Sequence, residues 1–147
     1  MQDRIADKLL NVDATQIVCL HKDEVSRMMP GLKERGFVIY HLDGLNVTDE
    51  TSLIHELVTK IPCDPNYYQF AGGEPNWSAV EDSIFGGIDG TTKRLALIWE
   101  NADKFIVEDL NYALLVVELL LRITTLRKVV LKVVFLGESP VFTHIVG

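Results

Sequence analysis

The sequence contains no apolar run of the 18 or more residues that a membrane-crossing helix needs. Its longest apolar stretch, Leu110 to Leu121, is interrupted by Asn111 and Glu118. Cysteine is scarce: Cys19 and Cys63 alone cannot make a disulfide framework, so stability must come from a packed core. Cys19 lies within an apolar strand pattern and is expected as a buried free thiol, whereas Cys63 follows Pro62 in a loop. His21, His41, His55 and His144 are scattered without the spacing of metal ligands. Gly72-Gly73 and Gly86-Gly87-Ile88-Asp89-Gly90 lack the spacing and the lysine of a phosphate-binding loop. Ser78 has no neighbouring histidine with which to build a hydrolase triad. No metal or other cofactor is expected, and neither is an enzyme. The first ten residues, MQDRIADKLL, are charged and lack the apolar centre of a secretory signal, so a cytoplasmic setting is expected.

What is present fits one compact domain spanning 1–147, with 48% hydrophobic residues over a length sufficient to enclose a core. Residues 4–11 have the pattern of a short amphipathic helix through Ile5, Leu9 and Leu10. Gln16 to Leu20 reads as a strand, followed by a helix through Val25, Met28, Met29 and Leu32 with Asp23 as its N-cap. Pro30-Gly31 is expected to kink or split that helix, and Gly36 to close it. Phe37 to Leu42 reads as a second strand, then Asp49 caps a helix with Leu53, Ile54, Leu57, Val58 and Ile61 on one side, stopped by Pro62. A loop over 62–75 leads to a short helix from Ser78 to Phe85. Leu95 to Trp99 is a strand, and Asp109 opens a helix to about Thr124 that is apolar almost all round and therefore expected to be deeply packed. Val129 to Leu136 is a strand containing Lys132, and Ser139 to Gly147 could add another. Alternating strands and helices imply an α/β fold with a small parallel sheet of three to four strands packed with helices.

Charge is unevenly spread. The formal net charge is -7; residues 73–110 carry 3 basic and 8 acidic side chains, and residues 111–147 carry 4 basic and 2 acidic ones. From Tyr67 to Asp89 the chain carries four carboxylates and no lysine or arginine. Such a field repels nucleic acid and attracts basic proteins. At 100° per residue, Trp77, Val80 and Ile84 share one face of the short helix, while Ser78, Glu81, Asp82 and Phe85 share the other. An aromatic among acids on the wet face is the composition of a contact surface. Glu81 and Asp82 diverge by about 100° along the helix, which suits a broad charged patch better than one shared acid-base site. Asn76 is placed to cap this helix and Trp77 to anchor it. Phe85 is consistent either with the core or with an interface.

These residues resemble those of a known family. The order Tyr67-Tyr68, Gly72-Gly73, Asn76-Trp77, Ala79 and Asp82 is similar to the central motif of the barstar-like ribonuclease inhibitors. Gly36 to Gly44 resembles the strand and turn before the family's first helix, Leu95 to Trp99 its middle strand, and Val130 to Leu136 its last. The resemblance covers roughly residues 15–137 and implies a barstar-like sheet with an added N-terminal strand-helix unit over about 15–35. It implies an immunity protein whose partner is a basic toxin, a ribonuclease, with no direct binding to nucleic acid or membrane. Asp82 matches the family's principal toxin-facing aspartate, and Tyr67 or Tyr68 its contact tyrosine. Where the family carries a second contact aspartate, two positions after the asparagine, this chain has Ser78. The loop before Asn76 is longer, and its Glu74, with Glu81, could supply the missing charge. The expected partner-binding set is therefore Tyr67, Tyr68, Glu74, Ser78, Glu81, Asp82 and Phe85. The rival reading, a small enzyme or ligand-binding domain using the cleft beside loop 62–75, rests only on the Glu81–Asp82 pair.

Overall fold

A computed structural model of the chain describes residues 13–70, 75–108 and 110–138. The helix expected over 4–11, Glu74, the expected helix-opening residue Asp109 and the tail from Ser139 lie outside the described residues. The elements are β1 (Gln16–His21), α1 (Val25–Glu34), β2 (Val38–Asp43), α2 (Glu50–Lys60), α3 (Tyr67–Phe70), α4 (Trp77–Gly87), β3 (Arg94–Glu100), α5 (Asn111–Arg127) and β4 (Val130–Gly137). Single 3-10 turns follow β1 and β2, and a π-helical turn at Lys104–Glu108 precedes α5.

The four strands form one all-parallel sheet in the order β1-β4-β3-β2. The chain crosses from β1 at one edge to β2 at the other, then returns through β3 to β4. Alternation along β3 divides the interior. Ala96 and Ile98 join Leu20, Met28, Leu32, Phe37, Val134 and Leu136 beneath α1. Leu95, Leu97 and Trp99 join Leu131, Val133 and Phe135 against α2, α4 and α5. Travel in opposite directions with helices on opposite faces is what right-handed connections require.

Local chemistry explains most boundaries. Gly36 adopts φ +83, and the bonds Gly36 N–H to Lys33 O and Phe37 N–H to Leu32 O close α1 in a Schellman arrangement. Asp49 and Ser52 form a reciprocal capping box at α2. Three expectations need correction. Pro30 sits inside α1 without splitting it, because Met28 and Leu32 on either side are fully buried and their packing outweighs one lost backbone bond. Asp23 lies in the preceding 3-10 turn, and the N-cap position of α1 is Glu24, with no side-chain capping bond. Cys19 is half-buried rather than enclosed because β1 is an edge strand, and Cys63 is likewise half-buried; burial pushes both thiols up. No helix among the described residues is long and apolar enough to cross a membrane.

Candidate functional site

Helix α4 is fixed at both ends. The Asn76 side chain accepts a hydrogen bond from Ala79 N–H at 3.0 Å, so the expected cap is present. The backbone N–H of Asn76 in turn donates to the Tyr67 hydroxyl at 3.2 Å. At the far end, a Cβ on Gly86 would strike the carbonyl oxygen of Asp64, and one on Gly87 that of Pro62. These glycines are the last two residues of the helix. They are required because loop 62–64 crosses in direct contact, with Asp64 N–H bonded to Ser83 O at 2.9 Å.

The two expected faces of α4 are present. Ala79, Val80, Ser83 and Ile84 are buried, and Ser78, Asp82 and Phe85 are exposed. Trp77 departs from its expected place. It is half-buried, packs against the large cluster, and its indole N–H donates to Glu50 at 3.1 Å. At the start of the helix its ring straddles the core edge, and the polar end of the indole needs a partner there.

The tyrosine pair divides. Tyr67 is only 4% exposed and belongs to the core, with its hydroxyl spent on Asn76. It is therefore removed from the contact set: a ring enclosed by the fold cannot pack on a partner. Tyr68 is 52% exposed, lies edge-on to Tyr67 at 5.2 Å, and pairs its hydroxyl with His55 Nδ1 at 2.7 Å. Burial, with the adjacent Tyr67, holds the Tyr68 hydroxyl above the ordinary tyrosine range. Tyr68 is thus presented outward on a short helix that packs against α4, its tip tethered to α2.

The acids also divide. Glu81 accepts two hydrogen bonds from Arg122, from Nε at 2.9 Å and Nη2 at 2.7 Å, so its charge is matched within the chain. Asp82 has no ion-pair partner among the described residues and is exposed. Phe85, 39% exposed, carries the Arg127 guanidinium over its ring at 4.2 Å, while that guanidinium also donates to the carbonyls of Phe85 and Ile88. Phe85 is a stacked platform at the helix end, neither core nor bare interface. Glu74 lies outside the described residues. The structure therefore brings Ser78, Asp82 and Phe85 onto one exposed side of α4, with Tyr68 on the neighbouring α3.

Sequence reasoning missed the residues that support this surface. Arg122 and Arg127 lie 41 and 42 positions from the groups they bind on α4, a separation that no local pattern reveals. Glu56 was also missed. It is 3% exposed and accepts from Asp43 N–H at 2.8 Å, Asn46 Nδ2 at 3.1 Å and Lys60 Nζ at 3.1 Å. That carboxylate holds the turn after β2 and faces no solvent.

No family model and no curated protein matches the sequence. Among solved structures, the chain is similar to a chain of the "Structure of Drosophila ORC bound to DNA", with a TM-score of 0.53 and 17% sequence identity. The match covers 90% of this chain and 34% of that one, so this protein spans about a third of its neighbour's length. At that identity the likeness is one of fold alone: a small α/β domain built on a parallel sheet.

Proposed function

We propose that this protein is a proteinaceous inhibitor, an immunity protein that binds a basic toxic ribonuclease and covers its active site with α4 and the adjacent tyrosine. The observation that carries the reading is Asp82: an exposed carboxylate with no ion-pair partner among the described residues, on a helix locked at both ends, sharing its exposed side with Ser78 and Phe85. A ribonuclease must attract phosphate and so presents a basic cleft. A rigidly held carboxylate can occupy a phosphate position, and an exposed aromatic can meet the base site. Opposite charge accelerates the encounter, and a desolvated ion pair then slows release.

Two further features support it. The segments that resemble the barstar-like family correspond to β2, β3 and β4, which are neighbours in the sheet, and the added strand β1 lies on the β4 edge. With Glu56 buried and Glu81 matched by Arg122, Asp82 is the carboxylate of α4 that a basic partner can engage. A cytoplasmic setting belongs to the same reading, since an immunity protein must meet its toxin before the toxin meets cellular RNA.

Specificity should differ from that of barnase inhibitors. Ser78 places a neutral hydroxyl where the family carries a carboxylate, and Arg122 already engages Glu81, the nearest replacement. A toxin cation built for that carboxylate would be left poorly paired, at a cost of roughly 3–5 kcal/mol, or two to four decades of affinity. Titration into a barnase activity assay should therefore show weak inhibition, and Ser78→Asp should improve it only in part. The direct test is co-expression with basic ribonuclease toxins, beginning with any that is encoded beside this gene. Growth rescue and a stable complex are expected. Unrelieved toxicity with no complex would refute the reading.

A further inference from the structure

One face of α5 is unlike a solvated helix face. Leu114 is 51% exposed and Leu126 73% exposed, and Glu118 and Arg122 between them are exposed as well. The four stand at successive steps of four residues, which makes them one surface ridge of the helix. Read in either direction the ridge is apolar, charged, charged, apolar, with one charge of each sign. Laid antiparallel against a copy of itself, it brings Leu114 to Leu126, Glu118 to Arg122, Arg122 to Glu118 and Leu126 to Leu114. Every position then meets a chemically matched one.

Beside the ridge, between α4 and α5, runs an open groove of about 440 Å³ lined by Glu81, Leu121, Arg122, Thr125 and Leu126. The groove lies where the opposing Leu114 would arrive. Arg122 can serve both sides of the contact: Glu81 accepts one bond from Nε and one from Nη2, and a guanidinium carries five N–H donors.

We infer that α5 is a homodimerisation surface, and that a second copy of this chain docks on it about a two-fold axis near the middle of the helix. Charge decides the occupant. A uniformly basic partner would press against Arg122, whereas a second copy offers Glu118 to Arg122 and Arg122 to Glu118. An isologous contact of this kind is closed and yields dimers rather than filaments. The ridge contains none of Ser78, Asp82 or Tyr68, so this inference stands apart from the toxin-binding proposal.

Sedimentation equilibrium on the full chain tests it. The mass should rise with concentration from 16.5 kDa toward twice that value. Glu118→Arg and Arg122→Glu should each weaken self-association by at least ~100-fold, because each sets like charges opposite one another. An equimolar mixture of the two variants should restore a dimer, since one then presents two cations and the other two anions. Leu126→Arg, which leaves the Glu81–Arg122 pair intact, should also abolish the dimer while the circular-dichroism spectrum stays native. A chain that remains monomeric up to about 1 mM would overturn the inference. So would a dimer indifferent to Glu118→Arg and Leu126→Arg, or variants that dissociate singly and fail to associate when mixed.

Discussion

Tyr67 and Tyr68 are adjacent in the chain and opposite in role. One closes the core and holds the start of α4; the other stands in solvent on a tether from His55. The same division runs through the carboxylates. Glu56 is buried and bound by three donors, Glu81 is matched by Arg122, and Asp82 is exposed with no ion-pair partner among the described residues. The comparison teaches that residue type does not mark a contact residue. What marks it is whether the fold has already satisfied the group. A satisfied tyrosine or carboxylate supports the scaffold, and an unsatisfied one on a rigid element is available to a partner.

This division can be broken experimentally, beginning with the buried side. Ile84→Ala removes a fully buried side chain from the inner row of α4 and should cost about 2–5 kcal/mol of stability in chemical denaturation. A loss below 1 kcal/mol would mean that α4 is not anchored as described. Glu56→Ala should follow, at roughly 1–3 kcal/mol, because Asp43 N–H and Asn46 lose a buried acceptor. Its affinity for the partner should be unchanged if the variant is folded.

Trp77→Ala sharpens the comparison at the boundary. A fully buried tryptophan would cost about 3–5 kcal/mol, and this half-buried one should cost less despite losing the bond to Glu50. Thermal melts of Trp77→Ala and Ile84→Ala side by side would show whether the two positions differ as their exposures do. Tyr68→Phe is the smallest change. It removes only the hydroxyl tethered to His55 and should shift stability by no more than about 1 kcal/mol. A slower association rate with the partner would show that the tether matters for presenting the ring.

Much of this organisation was legible in the sequence. The four strands were readable because β-branched and aliphatic residues run between turn signals, and α2 and α4 because Asp49 and Asn76 are efficient caps. The two faces of α4 followed from its helical period. The split of the tyrosine pair was not readable, since two identical neighbours give no pattern that tells inward from outward. The ion pair between Glu81 and Arg122 joins separate helices and has no local signature. Helix α5 is apolar on nearly every side, so its pattern pointed to deep packing. Leu114 and Leu126 are exposed because the sheet and α4 cover only part of its circumference.

The central claim concerns Asp82 and the charge it offers. Asp82→Ala should leave the melting curve nearly unchanged, because the side chain is exposed and has no ion-pair partner among the described residues. With the ribonuclease recovered by co-expression, the same substitution should weaken binding by at least ~2 kcal/mol, as truncation of a central charged contact does. The wild-type association rate should fall steeply as salt shortens the Debye length from ~30 Å at 0.01 M to ~10 Å at 0.1 M, and the variant's less so. Calorimetric titration of wild-type and Asp82→Ala protein against that ribonuclease is the most direct measurement. The account predicts a loss of affinity without loss of stability. Equal affinities, or a fall in melting temperature with affinity preserved, would contradict it.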